Sequence, residues 1–227
     1  MINHKLKIIF IHIPKCAGTS ISNLLFETRE LKWREPNYEI HYGWCPKRKI
    51  HMQHATPKQL LELGLIEEST WNNYTKFTVV RNPWSRAESD YQWIRRTRKI
   101  RDSFENYITR SGKFKAILTD NSTKNYRGDH LNKQVSYLDT ETINNFDRVM
   151  RFESIQTEMK LLLNDLGLHH QVLPVAKKGK RKKHYSYFYD ELKKKLVDDY
   201  FRDDIDYLGY EFVDKKPPKS LLNRLKF

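Results

Sequence analysis

The chain has 227 residues, of which 38% are hydrophobic and 31% charged, and its formal net charge at pH 7 is +14. This length suits one α/β domain, and the hydrophobic content excludes a largely disordered chain. The positive charge predicts an anionic partner, but it does not distinguish nucleic acid, a membrane surface, a phosphorylated cofactor and an acidic glycan.

Two cysteines, Cys16 and Cys45, are too few for a disulfide framework, so we expect reduced thiols. The apolar run over residues 8–13 is broken by Pro14 and Lys15, which makes it too short for a signal peptide or an anchor. No other stretch approaches the about 18 apolar residues of a membrane span. We therefore expect a soluble, cytoplasmic protein without a membrane span.

Strand and helix patterns alternate from the start of the chain. Residues 7–13 (KIIFIHI) are rich in branched apolar residues and show no polar alternation, which predicts a strand buried on both faces, and residues 17–27 have the spacing of a helix. Residues 31–50 have no period, and we expect an irregular insertion there. Residues 56–64 (TPKQLLELG) carry the start and stop signals of a short helix.

The alternation continues to the end of the chain. The later predictions are strands over residues 76–80 (KFTVV) and 146–152, and helices over residues 83–100, 154–166 and 189–207. Strands that alternate with helices favour a parallel sheet flanked by helices. We therefore expect an α/β fold in a single domain spanning residues 1–227.

The segment 13–20 (IPKCAGTS) joins the first strand to the first helix, where backbone N–H groups and the helix dipole attract an anion. Lys15 adds positive charge, Gly18 admits close approach of the backbone, and Thr19 and Ser20 supply hydroxyl groups. The order differs from GxxxxGK[ST] because Lys15 precedes Gly18, so no metal is expected. A plain turn with Lys15 in solvent is the alternative.

The segment 79–86 (VVRNPWSR) also joins a buried strand to a helix, with Arg81 at the strand end and Asn82 as the N-cap. Ser89 shares a helix face with Ser85, so Arg81 and Ser89 can converge on one phosphate. A surface ion pair is the alternative, and it is the commoner role of a lone basic residue at a strand end.

Together, the segments IHIPKCAGTS and VVRNPWSRAESDY resemble the carbohydrate sulfotransferases related to heparan sulfate 2-O-sulfotransferase. Residues 51–63, 151–153 and 200–212 are also similar, so the resemblance covers nearly the whole chain. It implies a P-loop-like α/β fold and 3′-phosphoadenosine 5′-phosphosulfate (PAPS) as the donor, with the 3′-phosphate at Arg81 and Ser89. The residues implied at the 5′-phosphosulfate are Lys15, Cys16, Ala17, Gly18, Thr19 and Ser20.

The resemblance also implies a hydroxyl acceptor on a carbohydrate or glycan, and the basic composition admits an anionic one. Transfer to a hydroxyl needs a base, and histidine suits this near neutrality. The run HMQHATPKQL places the family's catalytic histidine at His54, with His51 as a second catalytic, acceptor-binding or packing residue. Lys15 would stabilise charge on the leaving phosphate oxygen. Gln134 resembles a family position near the acceptor.

Two basic segments leave alternatives open. Residues 177–183 (KKGKRKK) are either a flexible loop that closes over the 3′-phosphate through Arg181 and Lys183, or a solvated loop. The basic residues within 95–101 either bind an acidic glycan or are an exposed helix end.

Two other functions compete with sulfuryl transfer. A nucleotide-dependent kinase is disfavoured by the order of the first loop and by the absence of an obvious acidic Mg²⁺ ligand after a strand. A nucleic-acid binder is suggested by the charge, but no DNA or RNA motif is present, so no nucleic-acid partner is expected. The sequence does not indicate the acceptor's identity or the oligomeric state.

Overall fold

The computed structural model describes residues 1–32, 35–138, 146–174 and 183–217. The strands within these ranges are β1 (Ile2–Asn3), β2 (Ile8–Ile11), β3 (Trp44–Cys45), β4 (Ile50–His51), β5 (Thr75–Val80) and β6 (Arg148–Arg151). The α-helices are α1 (Gly18–Leu25), α2 (Pro57–Glu62), α3 (Glu68–Asn73), α4 (Pro83–Arg98), α5 (Phe104–Ile108), α6 (Lys115–Thr119), α7 (Ile155–Asp165), α8 (Glu191–Tyr200) and α9 (Arg202–Leu208).

The central sheet has the strand order β1-β2-β5-β6. Strands β2, β5 and β6 are parallel, with Phe10 opposite Phe77 and Val79 opposite Met150. Strand β1 pairs antiparallel with β2, so the sheet is mixed. The α/β fold with helices around a sheet is confirmed, but β1 was not predicted because two residues are too few to show a pattern.

The core forms around the two central strands. All four residues of β2 are buried, and the rings of Phe10 and Phe77 stack across the β2–β5 pair with centroids 4.9 Å apart. Burying one such side chain contributes about 1.5–3 kcal/mol. This apolar pairing fixes the register of β2 against β5, and therefore the relative positions of the two turns that follow them.

Local signals set several helix starts where the sequence predicted them. Helix α2 begins with a capping box, in which the Thr56 hydroxyl accepts from the backbone N–H of Gln59 and the Gln59 side chain accepts from the backbone N–H of Thr56. Helix α4 begins at Pro83, after the N-cap Asn82, whose side-chain oxygen accepts from the N–H of Ser85 at 3.0 Å. The predicted final helix is divided into α8 and α9 at Phe201.

The insertion expected to be irregular contains a short hairpin. Strands β3 and β4 pair antiparallel, with Trp44 opposite His51, and the two rings lie 4.9 Å apart. The hairpin thereby fixes the backbone just before His54, which ends a 3₁₀ turn. Within the four described ranges, no helix is both long and apolar enough to cross a membrane.

Candidate functional site

The turn between β2 and α1 has an unusual backbone. Lys15 and Ala17 have φ angles of 70° and 63°, in the left-handed region. A Cβ atom added at Gly18 would lie 1.6 Å from Nε2 of the His12 imidazole. The sequence suggested that Gly18 admits a ligand, and the structure adds that this glycine makes room for His12.

The turn between β5 and α4 meets the first turn directly. Arg81 donates from Nη1 to the backbone oxygen of Lys15 at 2.8 Å, and from Nε and Nη2 to the hydroxyl of Ser85 at 3.1 and 2.9 Å. Its guanidinium lies 4.1 Å from the centroid of the Phe152 ring, at the end of β6. The guanidinium is therefore held in place between the ends of the three parallel strands.

Gln134 packs against these turns and is not among the described residues that line the cavity, and its role near the acceptor stays a prediction. Its side chain is fully buried, accepts from the backbone N–H of Arg81 and donates to the backbone oxygen of Arg81, both at 2.8 Å. The thiol of Cys16 is also buried here, 3.7 Å from Oε1 of Gln134, and burial raises its pKa to about 11. The Cys16 side chain therefore supports the turn from below.

One cavity of about 710 Å³ opens over both turns. The sequence-predicted residues that line it are Lys15, Ala17, Gly18, Thr19, Ser20, His51, His54, Arg81 and Ser89. Lys183 is not among the described residues that line it, and its ammonium lies 5.3 Å from the ring centroid of Tyr187. Arg181 and most of the run 177–183 lie outside the described residues, so their role at the donor stays a prediction.

Lys15 lines the cavity, and its ammonium group is largely shielded from solvent. Burial lowers the pKa of its ammonium to about 8, although the nearby carboxylate of Asp90 opposes this. Its Nζ lies 5.0 Å from the ring centroid of Trp93, a distance at which an aromatic face stabilises a cation. Lys15 is thus directed over the cavity wall.

His54 forms a close pair with Asp129. Its Nδ1 donates to Oδ2 of Asp129 at 2.6 Å, and a carboxylate can only accept, so Nδ1 carries the proton and Nε2 the lone pair. Burial lowers the pKa of His54 below its ordinary value, and Asp129 opposes this shift. Burial would raise the pKa of Asp129, but His54, His130 and His51 together outweigh it and the net shift is downward. The pair has the arrangement of a base with an orienting carboxylate.

A second pair of the same kind was missed by the sequence. Nδ1 of His130 donates to Oδ1 of Asp90 at 2.6 Å, and Asp90 also accepts from the hydroxyl of Tyr107 at 2.8 Å. The His130 ring stacks on Trp93, and its centroid lies 5.2 Å from that of His54. Because 40 residues separate Asp90 from His130, no local pattern could have joined them.

His51 has a different environment from His54. Its Nε2 accepts from Nη1 of Arg127 at 2.7 Å, and burial is the main cause that lowers its pKa to about 3. An imidazole with so low a pKa is a weak base. These contacts fit a residue that holds Arg127 at the cavity wall, and a catalytic role for His51 stays a prediction.

The described residues contain one group with metal-ligand chemistry. Ligand atoms of His54, Asp129 and His130 all lie within 4.8 Å of one another. Two imidazoles and a carboxylate are a donor set that zinc accepts, although Lys15 and Arg127 add positive charge to the same cavity. The expectation that no metal takes part stays a prediction.

Comparison with known proteins agrees with this geometry. Neither the curated proteins nor the solved structures gave a match. A family model described as "Sulfotransferase family" matches residues 1–211. The match does not reach the finer relation to heparan sulfate 2-O-sulfotransferase, which stays a prediction. It spans both turns and every described residue that lines the cavity, and the chain therefore belongs to the sulfotransferase family.

Proposed function

We propose that the protein transfers a sulfuryl group from PAPS to a hydroxyl group of a carbohydrate acceptor. The observation that carries the proposal is the contact between the two strand-to-helix turns, where Arg81 donates to the backbone oxygen of Lys15 at 2.8 Å. Two cations from neighbouring parallel strands thus face one cavity, and the donor is a single molecule with two separate anionic ends.

The residues at the turns fit such a donor. Lys15 would bind the 5′-phosphosulfate together with the hydroxyl groups of Thr19 and Ser20, and Arg81 would bind the 3′-phosphate together with Ser89. The left-handed residues before α1 turn the backbone towards its N-terminus, which attracts anions. The cavity volume of about 710 Å³ lies within the range of about 300–1,000 Å³ that is usual for ligand sites.

The residues on the acceptor side supply acid–base chemistry. When the acceptor oxygen forms its bond to sulfur, the bond from sulfur to the phosphate oxygen breaks, and Nε2 of His54 takes the hydroxyl proton. Asp129 stabilises the imidazolium that results. The ammonium of Lys15 balances the negative charge that develops on the departing phosphate oxygen.

The cavity wall supports an anionic carbohydrate as the acceptor. Arg98 and Arg127 both line the cavity in addition to the two cations of the turns. Guanidinium groups bind carboxylate and sulfate groups in a bidentate manner, which favours an acidic glycan over a neutral one.

Binding experiments separate this proposal from its competitors. Calorimetric titration with 3′-phosphoadenosine 5′-phosphate (PAP), the desulfonated donor, should give tight binding in the presence of EDTA and weaker binding of ATP with Mg²⁺. Lys15→Ala should weaken PAP binding, whereas Lys160→Ala, at an exposed position on α7, should not. A preference for ATP with Mg²⁺ would support a kinase, and salt-sensitive binding of duplex DNA without PAP binding would support a nucleic-acid protein.

Turnover tests the base. With sulfur-labelled PAPS and a panel of dextran, chondroitin and heparosan, the protein should label at least one polysaccharide. His54→Ala should lower the rate by about 100- to 10,000-fold and leave PAP binding intact. His170→Ala, which removes an exposed histidine that does not line the cavity, is the matched control. Near wild-type turnover of His54→Ala would make the assignment of the base wrong.

A further inference from the structure

Two imidazoles in the cavity make the same kind of hydrogen bond to a carboxylate. His54 donates through Nδ1 to Asp129 and His130 donates through Nδ1 to Asp90, each at 2.6 Å. Because a carboxylate only accepts, Nδ1 carries a proton in both rings, so a neutral ring has its lone pair on Nε2. Within the described part of the chain, all hydrogen bonds of these two rings are made through Nδ1. Both Nε2 atoms therefore remain for a ligand.

The two rings are close enough to act on one ligand. Their centroids lie 5.2 Å apart at an interplanar angle of 78°, and both line the cavity. One ring nitrogen of His54 lies within 4.8 Å of one ring nitrogen of His130. A hydrogen bond from a hydroxyl group to an imidazole nitrogen spans about 2.8 Å, so rings at this separation suit two oxygens on adjacent carbon atoms.

The second imidazole is fixed more firmly than packing alone requires. Asp90 is 1% exposed and accepts from both His130 and the Tyr107 hydroxyl. The His130 ring also stacks on the ring of Trp93, at an interplanar angle of 12°. Burying a carboxylate costs free energy unless the group is paired and hydrogen-bonded. The Asp90 carboxylate meets this condition, and it sets the tautomer and the orientation of the His130 ring at the cavity wall.

We propose that the acceptor group is a vicinal diol of a sugar, in which His54 accepts from the hydroxyl that is sulfated and His130 accepts from its neighbour. The inference rests on the proposed sulfuryl transfer and adds the acceptor class to it. The proton of the attacking hydroxyl goes to Nε2 of His54, and the neighbouring hydroxyl keeps its proton. His130 therefore acts as a specificity-determining residue and takes no part in proton transfer.

Periodate chemistry tests the acceptor class with the wild-type protein. Periodate cleaves vicinal diols and spares isolated hydroxyl groups, so the test uses dextran, chondroitin and heparosan, each intact or cleaved and then reduced with borohydride. We expect labelling of an intact polysaccharide and at least tenfold less labelling of its cleaved form. In chondroitin and heparosan, whose uronic acid has a single vicinal diol, the labelled unit should also resist later periodate treatment, because sulfate on either oxygen blocks that diol.

Two variants of His130 test the residue. His130→Asn retains an N–H group that can donate to Asp90 but places nothing at the position of Nε2, and His130→Gln places an amide near that position. His130→Asn should lower the preference for intact over cleaved polysaccharide by about tenfold, the value of one hydrogen bond to substrate. His130→Gln should retain part of the preference. Melting temperature and PAP binding of both variants serve as controls for folding.

The outcomes separate the two levels of the proposal. Absence of transfer to every polysaccharide would contradict the proposed function, and the diol inference would fall with it. Equal labelling of intact and cleaved chains, or labelled uronic acid units of chondroitin or heparosan that periodate still cleaves, would contradict the diol inference alone. The role proposed for His130 is wrong if folded His130→Asn keeps the full preference for intact over cleaved polysaccharide. It is also wrong if His130→Asn loses turnover while His54→Ala retains it.

Discussion

Gly18→Ala tests whether the turn after β2 is shaped by a side chain of the protein itself. The new Cβ would lie 1.6 Å from Nε2 and 2.1 Å from Cδ2 of His12. Carbon atoms in contact are about 3.5–4.0 Å apart, so the ring has to move by about 2 Å. The ring is stacked on Phe10 with centroids 5.3 Å apart and meets the edge of His54 at 4.9 Å, so it cannot move without disturbing both.

The expected cost follows from these contacts. Overpacking of this kind destabilises by about 1–3 kcal/mol. Replacing glycine with alanine inside a helix would otherwise stabilise by about 0.5–1 kcal/mol, and Gly18 is the first residue of α1 with an ordinary negative φ. If Gly18→Ala lowers the free energy of unfolding, the collision with His12 outweighs the gain in helix propensity. Because the displaced ring contacts His54, turnover should also fall.

Urea denaturation measures the stability of Gly18→Ala alone and together with His12→Ala. Removing the imidazole makes room for the methyl group, so the alanine at position 18 should cost little or nothing in the second background. Calorimetry with PAP measures whether the donor site survives. The reasoning is refuted if Gly18→Ala destabilises equally in both backgrounds, or if it stabilises the wild-type protein.

Three further predictions concern ionisation and stability. A plot of kcat/KM for the donor against pH should rise below pH 6.5 as His54 loses its proton and fall through about pH 8 as Lys15 loses its proton. In contrast, kcat should stay high beyond about pH 8, because a bound anion raises the pKa of Lys15. If the fall near pH 8 is unchanged in Lys15→Arg, this prediction is wrong. Thr56→Ala breaks the capping box and should lower the free energy of unfolding in urea by about 1 kcal/mol, with Thr56→Ser as the control that keeps the cap. Arg86→Met leaves the backbone oxygens of Pro14 and His130 without their guanidinium donor and should cost about 2–4 kcal/mol in the same measurement; a cost below that of Thr56→Ala would contradict it.

The sequence predicted the parts of the fold that depend on local pattern. Continuous apolar runs identified β2 and β5, and the caps at Thr56 and Asn82 fixed the starts of α2 and α4. The hairpin at Trp44 and His51 was missed because its strands have two residues each and show no period. The break at Phe201 was missed because α8 and α9 together keep one amphipathic pattern.

The candidate site was predictable to the extent that it lies in local motifs. Lys15 and Arg81 follow apolar strands, and adjacent parallel strands bring such turns together. The carboxylates of the two histidine pairs were missed, since His54 and Asp129 are 75 residues apart in the chain and meet only through the tertiary fold. Composition and spacing identify groups that bind an anion, whereas orientation of a base depends on contacts between distant segments.

The perturbed Lys15 links the charge of the chain to its chemistry. A net charge of +14 attracts anions to any part of the surface, but a solvated lysine has to give up part of its hydration shell when an anion binds to it. Burial lowers the pKa of Lys15 to about 8, and its ammonium lies 5.0 Å from the ring centroid of Trp93, which lines the same cavity. A phosphate that approaches it therefore meets a cation that has already given up part of its hydration during folding.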